Sequence, residues 1–411
     1  MSHIYNIAVG ISAFFLRSIA VFHPKIKLFM EGRKGVFAFL QGKLDKEDHV
    51  IWVHTASLGE FEQGLPITER LGKAYPSHKI LVTFFSPSGY EVKKNSPAAD
   101  LITYLPLDTI KNAERFIDLV NPKLAIFVKY EIWPNYLGVL ARRKIPTILV
   151  SALFKRDQIF FKGYGGFMAR ALRGFSHIFV QNSDSVKLLQ GIGITNVSIG
   201  GDTRFDRVSE ILERDNHLPF MDEFVNGSPI LVAGSTWPED EEILVSQIND
   251  SPPTLKYVLA PHNIKLAHIE KLRKSIQKRT ILYSESGHRN LGDYQILIID
   301  TIGLLTKIYS YANIAYVGGG FATGLHNTLE PAVFGVPVII GPDYKGFKEA
   351  EDLVGLGGAL VVRSKSEYSD LIKKLLGEKT LMTRIGDLNR TYVSDNKGAS
   401  TQVMEYIRGL L

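Results

Sequence analysis

Two glutamates stand where a carboxylate has room to do chemistry. Glu60 closes the stretch His54-Thr55-Ala56-Ser57-Leu58-Gly59-Glu60, which follows an apolar run and precedes a helix-like pattern. Glu131 lies in Lys129-Tyr130-Glu131-Ile132-Trp133-Pro134-Asn135, again directly after an apolar run. A carboxylate at a strand–helix junction can take the proton of an attacking hydroxyl when pKa and geometry allow. It can equally do no more than complement the helix dipole, and Pro134 as a first-turn residue gives Glu131 the same plain alternative.

The second half carries a denser set. An apolar stretch ends in Gly318-Gly319-Gly320, and Gly324-Leu325-His326-Asn327-Thr328-Leu329-Glu330-Pro331 follows. Glycines after a strand let backbone N–H groups approach an anion, and a helix starting near Asn327 or Thr328 aims its positive end at phosphate. Glu330, in that first turn, is placed to reach a ribose hydroxyl. A tight strand-to-helix turn with a routine cap is the alternative. Gly234-Ser235-Thr236 repeats the pattern ahead of Pro238 and the acidic run 239–242, so Ser235 and Thr236 either cap a helix or bind a donor sugar or phosphate. His262, after Leu259-Ala260-Pro261, is a further phosphate candidate.

Other chemistries are excluded or unsupported. With no cysteine among 411 residues, disulfides, thiolate catalysis and cysteine-ligated metal sites are out. No HExxH, phosphate-loop or early-strand GxGxxG pattern occurs, so neither metal nor NAD is expected, and no cofactor. The net charge of +6 suits phosphate groups or anionic lipid, while zinc-finger and RNA-binding aromatic motifs are lacking, so nucleic acid is not an expected partner.

Elements that position these residues follow from periodicity. Residues 4–22 are almost wholly apolar, broken by Arg17 and followed by Lys25, Lys27, Arg33 and Lys34, which reads as a membrane anchor spanning the bilayer or lying in its interface. From residue 49, short apolar runs alternate with helical patterns (49–54, 79–85, 101–107, 124–128, 145–151, 176–181), and a second series runs through 229–234, 255–260, 280–283, 294–300, 314–319, 337–341 and 359–362. Continuous apolar runs with helices between them predict parallel sheets covered on both faces. The expected organisation is an anchor helix (1–30), an acceptor-binding domain (31–205), a charged linker (206–228) and a donor domain (229–411) whose last helix is a candidate to pack back on the first. A ligand is expected in a cleft between the domains, at the carboxyl ends of the strands.

At WVHTASLGEFEQGLP (52–66), YEIWPN (130–135), GGDTRFD (200–206), LVAGSTWPEDEE (231–242), IIDTIGLL (298–305), AYVGGGF and GLHNTLEPAVFGVPVIIGP (315–342), the chain resembles the 3-deoxy-D-manno-oct-2-ulosonic acid (Kdo) transferases of lipopolysaccharide synthesis. The resemblance implies a GT-B fold, two Rossmann-like doubly wound domains, with CMP-Kdo as donor. It also implies a lipid A precursor as acceptor, at the cytoplasmic face of the inner membrane. It makes Glu60 the general base of the family's SxGE motif, with Ser57, Gly59 and Glu131 on the acceptor side. Gly318, Gly319, His326, Asn327 and Glu330 match its nucleotide-binding loop and helix, and Ser235 and Thr236 its GST motif. His262 stands in the family's PRH motif, here Pro261-His262-Asn263 without the arginine, and Arg204, placed by the resemblance among the donor-binding residues, keeps the positive charge of its GNLKFD motif. A UDP-sugar transferase of the same fold and a non-catalytic nucleotide-sugar-binding protein are the alternatives.

Overall fold

The computed structural model describes residues 2–252, 254–287, 289–322 and 324–411. The chain forms two compact units, residues 2–207 with 397–411, and Val208–Asn396.

In the first unit, seven strands build one parallel sheet: β1 His49–Thr55, β2 His78–Phe84, β3 Leu101–Tyr104, β4 Pro122–Val128, β5 Thr147–Ala152, β6 His177–Val180 and β7 Val197–Ile199. Their order is β3-β2-β1-β4-β5-β6-β7. Strand interiors are buried on both faces, as expected for a parallel sheet with helices on each side. Ile51 and Val53 pack with Phe61 and Leu65 of the helix Leu58–Ala74, whereas Trp52 packs the other way, with Phe116, Phe127 and Tyr136. The six apolar runs read from the sequence all appear. Strand β7, half-exposed and only three residues long, gives no such signal.

The second unit repeats the plan with β8 Ile230–Thr236, β9 Lys256–Pro261, β10 Thr280–Leu282, β11 Ile296–Ile298, β12 Ile314–Val317, β13 Val338–Ile340 and β14 Ala359–Val361, ordered β10-β11-β9-β8-β12-β13-β14. Both sheets therefore reverse their strand order at one place, between β1 and β4 and between β8 and β12. At such a switch point the connections leave for opposite faces and open a crevice at the carboxyl ends. The chain after β1 does turn into a helix on the Phe61 face, and the chain after β4 into the helix Pro134–Arg142 on the Tyr136 face. Ser57, Gly59, Glu60, Glu131, Ser235, Thr236, His262, Gly318 and Gly319 stand at or within five residues of a strand's carboxyl end, whereas His326, Asn327 and Glu330 follow β12 by nine to thirteen residues and Arg204 lies in the helix Thr203–Ser209.

One reading needs correction, the anchor as a membrane span. Among the described residues, no helix is long and apolar enough to cross a membrane. The N-terminal helix, Ser2–Ile19, is diluted by Asn6, Gly10, Ser12 and Arg17. Its Ile4, Ile7, Ile11, Phe14 and Phe15 are exposed, a row at helical spacing. Tyr5 and Asn6 hold the helix to the unit: Tyr5 Oη donates to Asp108 Oδ2 at 2.7 Å, and Asn135 Nδ2 donates to Asn6 Oδ1 at 2.8 Å.

The terminal helix Ala399–Arg408 inserts Val403, Met404 and Ile407 into the Phe61 core. Its start is fixed by buried Asp206, whose two carboxylate oxygens accept from Gly398 N at 2.6 Å and Ser400 N at 2.7 Å. Replacing Asp206 by Ala removes both bonds to a charged acceptor, and is expected to destabilise the first unit by about 2 kcal/mol. A lower urea midpoint and faster amide exchange across 399–408 would register the loss; unchanged exchange there would refute the clamp.

Candidate functional site

The helix carrying Glu60 begins at an extended N-cap, Ser57, whose hydroxyl makes no capping bond. Glu60 thus stands in the first helical turn, where the helix dipole favours a negative charge. One carboxylate oxygen, Oε2, is nevertheless buried and accepts no hydrogen bond. An unmatched buried acceptor on an acid is costly unless a substrate proton comes to it. Gly59 is exposed, and a Cβ built there would meet only Ser57 Oγ, at 3.8 Å, so its lack of a side chain leaves room beside Glu60 rather than relieving a clash.

Glu131 sits across the switch point, after Lys129 turns the chain with a left-handed φ of 66°. Its Oε2 lies 3.1 Å from His54 Nε2 and accepts from Trp133 Nε1 at 2.8 Å. His54 is fully buried, and its Nδ1 lies 2.8 Å from Thr83 Oγ1, which also accepts from Trp52 Nε1 at 2.8 Å. A continuous polar thread therefore runs through an aromatic core to the Glu131 carboxylate. On its outer side the Trp133 ring lies 4.6 Å from Phe85, and Arg33 stacks on Phe85, Phe29 and Tyr104. Arg33 finds no carboxylate here: it donates to the carbonyls of Phe29, Phe85 and Leu105, and burial pushes its pKa down to about 10.

Arg204, expected on the donor side, belongs to the first unit. Its guanidinium donates to Asp202 Oδ2 at 2.9 and 2.7 Å, and Gln63 Nε2 donates to Asp202 Oδ1 at 2.8 Å. Burial would raise the Asp202 pKa, but the Arg204 charge and these bonds hold it below the usual carboxylate value. Gln63 is on the same helix as Glu60, so the Asp202–Arg204 pair is tied to that helix.

In the second unit the switch point is closed by backbone contact. A Cβ on Gly318 would strike the Ser235 carbonyl, and one on Gly320 would come within 2.8 Å of Gly341 N. Gly319 has φ 93° and Ser235 the left-handed φ of 54°, unusual for a residue with a side chain. These glycines let three loops meet, but their amides are spent: Gly318 N donates to Gly234 O at 2.9 Å, and Gly319 N to Asp240 Oδ2 at 2.8 Å. Asp240 is fully buried and also accepts from Tyr316 Oη and Trp237 N, while burial raises its pKa. The sequence-based expectation that the Gly318 and Gly319 amides cradle an anion is therefore corrected. The buried Thr236 hydroxyl donates to Glu241 Oε1 at 3.1 Å.

What faces outward is an aromatic stack. The exposed His262 ring lies 4.6 Å from Trp237 at 21° and 4.7 Å from His326, and Trp237 Nε1 donates to His326 Nε2 at 3.0 Å. Accepting at Nε2 fixes the proton of His326 on Nδ1. Burial, then the nearby His262, push its pKa down to about 4. Asn327 Nδ2 donates to Glu330 Oε1 at 3.2 Å and its Oδ1 caps Leu329 N, so the Asn327 and Glu330 side chains are held together at the start of the short helix Leu329–Ala332. Ser235, near the end of β8 and against Gly318, is half-buried. Sequence reasoning passed over His54, Trp133, Asp240 and Trp237; a polar residue within an otherwise apolar strand run is the signal that could have flagged His54. Among the described residues no cluster of His, Asp or Glu is arranged to hold a metal ion.

The family described as 3-deoxy-D-manno-octulosonic-acid transferase (kdotransferase) matches residues 30–207. The chain is 32% identical over 375 residues to the 3-deoxy-D-manno-octulosonic acid transferase of Aquifex aeolicus, covering 88% of this chain and 94% of that protein. It is 29% identical over 376 residues to the enzyme of the same name from Haemophilus influenzae, covering 88% and 87%. Among solved structures, UDP-GlcNAc 2-epimerase from Neisseria meningitidis bound to UDP-GlcNAc shares the fold, with TM-score 0.61, 16% identity, 88% of this chain and 100% of that one covered.

The depressed pKa of His326 gives a stability signature. Between its ordinary value of 6.5 and about 4, the unfolded chain binds the proton and the folded chain does not, so stability is intact above that window and falls as pH drops through it. His326→Gln, which retains an acceptor for Trp237, is expected to flatten this part of the curve. Urea midpoints at pH 7.5 and 5 in the two proteins test it; parallel losses would exclude His326 as the source.

Proposed function

Because the chain belongs to the 3-deoxy-D-manno-octulosonic acid (Kdo) transferases, a glycosyltransferase family, we propose that it moves Kdo from CMP-Kdo to a hydroxyl of a lipid A precursor, lipid IVA, by an inverting, metal-independent displacement. The observation that carries this reading is the buried, unbonded Oε2 of Glu60 at the carboxyl end of β1. In the proposed step the acceptor oxygen attacks the anomeric carbon while its proton passes to Glu60. The bond from that carbon to the CMP phosphate oxygen breaks, and the electron pair leaves with CMP. Glu131, with Ser57 and Gly59, serves the acceptor in this reading.

Charge growing on the leaving phosphate needs donors in place before reaction. With the Gly318 and Gly319 amides committed, the exposed His262 ring, the Nδ1–H of His326, the Ser235 hydroxyl and nearby Lys265 are the groups of the second unit suited to it. Asn327 and Glu330 are suited to ribose hydroxyls. Arg204, held by Asp202, contributes positive charge to the Glu60 side instead.

The acceptor is a lipid, and the proposal places the protein on the cytoplasmic face of the inner membrane through an interfacial helix. Two features support that geometry: the exposed row Ile4, Ile7, Ile11 and Phe14, and Lys25, Lys27 and Lys34 directly after it. A cavity of about 780 Å³ joins Arg17, Lys27 and Lys34 with Met30, Phe37 and Leu107, a mixture suited to a phosphorylated, acylated headgroup.

Glu60→Gln should lower turnover about 10²–10⁴-fold, the usual worth of a positioned general base, while leaving CMP binding intact. Mass spectrometry of lipid IVA incubated with CMP-Kdo, with and without EDTA and with UDP-sugars as competing donors, reads donor, metal independence and base together. Near-wild-type Kdo addition by the variant would remove Glu60 from the mechanism; no addition by folded wild-type protein would overturn the activity. A second expectation concerns the membrane. The double change Ile7→Glu and Phe14→Glu should shift the protein from anionic vesicles to the soluble fraction in flotation, and unchanged flotation would refute the interfacial helix.

A further inference from the structure

The buried thread that ends on Glu131 has a determinable proton arrangement. Trp52 Nε1 can only donate, so its bond at 2.8 Å makes Thr83 Oγ1 an acceptor. The single Thr83 hydroxyl proton is then available to His54 Nδ1, 2.8 Å away. What decides the tautomer is the far side of the ring: the Glu131 carboxylate Oε2, which only accepts, faces Nε2 at 3.1 Å, so Nε2 carries the ring proton and Nδ1 accepts from Thr83. Trp133 Nε1 approaches both His54 Nε2, at 3.1 Å, and Glu131 Oε2, at 2.8 Å. With Nε2 protonated, the first is donor against donor, and both N–H groups converge on the one carboxylate oxygen. The other oxygen of Glu131 receives none of these bonds.

We propose that His54 is a positioning residue of the transfer reaction: with Trp133 it pins Oε2 of Glu131, and so aims the other carboxylate oxygen at an acceptor hydroxyl. The inference rests on the reading of Glu131 as an acceptor-side group. A buried imidazole amid Trp52, Phe127 and Trp133 is a poor choice for packing alone, since every polar atom taken from water has to be matched. Here each is matched, and the series terminates on the one acid of the β1–β4 crevice that is bonded at a single oxygen. A carboxylate held at one oxygen cannot rotate without breaking two charge-assisted bonds, which gives the free oxygen a fixed direction.

The test compares His54→Asn, which withdraws the donor from Glu131, with His54→Gln, whose amide nitrogen reaches about as far as Nε2. Both are measured with lipid IVA and CMP-Kdo, alone and combined with Glu131→Gln. His54→Asn should lower kcat/KM for the acceptor about 10–100-fold, the worth of a hydrogen bond to a charged group, with KM for CMP-Kdo unchanged. His54→Gln should stay within about 3-fold of wild type, and His54→Asn should add less than about 3-fold in the Glu131→Gln background. Loss in Glu131→Gln with none in His54→Asn overturns the role of His54 alone, as does a full multiplicative loss in the double variant, which would mark His54 as merely structural. Full activity of Glu131→Gln instead overturns the reading of Glu131 itself. Nitrogen-15 imidazole spectra of the wild-type protein supply a readout independent of any variant's folding: the proton is expected on Nε2, and finding it on Nδ1 refutes the arrangement.

Discussion

Everything that can do chemistry in the first unit depends on the reversal of strand order between β1 and β4. Two parallel strands hydrogen-bonded side by side send their following segments to opposite faces of the sheet, and the backbone between them is left open at the carboxyl end. Glu60 and Glu131 are three to five residues beyond those two strand ends. The same reversal between β8 and β12 brings the Ser235 turn against Gly318 in the second unit. No side-chain interaction creates these places; side chains only decide what each is used for.

The two crevices are filled by opposite electrostatic solutions. In the first unit the acids keep unmatched oxygens: Glu60 has a buried atom with no donor, and the Glu131 carboxylate is bonded at one oxygen only. In the second, Asp240 takes three donors and sits directly behind the glycine turn, knitting it to the helix Pro238–Asp250. A negative charge at that depth disfavours an anion bound on the turn amides themselves. In the proposed reading, recognition of a phosphate there falls to outward side chains, the histidines first.

The sheet architecture was legible because apolar runs bounded by turns are a one-dimensional signal, and thirteen of the strands carry it; only β7, half-exposed at the sheet edge, does not. Positions of candidate residues at strand ends were legible for the same reason. Their bonding was not. That Gly319 N goes to Asp240, 79 residues away, depends on how a helix docks, and the bond from Gln63 to Asp202, the partner of Arg204, joins residues 139 apart in sequence. Of the two geometries read for the N-terminal apolar run, the span is unsupported among the described residues, because Asn6, Gly10, Ser12 and Arg17 dilute the helix.

Arg33 sets a practical limit on how this chain can be shortened. Its guanidinium closes three carbonyls, one in the helix Pro24–Glu31 just before it and two just past the ends of β2 and β3, and its flat face carries the Phe85 ring on which Trp133 rests. Cutting away the greasy helix at residue 22 for easier handling spares this corner. Cutting ten residues further on takes Phe29 with it, and with Phe29 go one of the three carbonyls and one of the rings that hold Arg33 against Phe85, so where the chain is made to begin decides whether the support beneath Trp133 is whole.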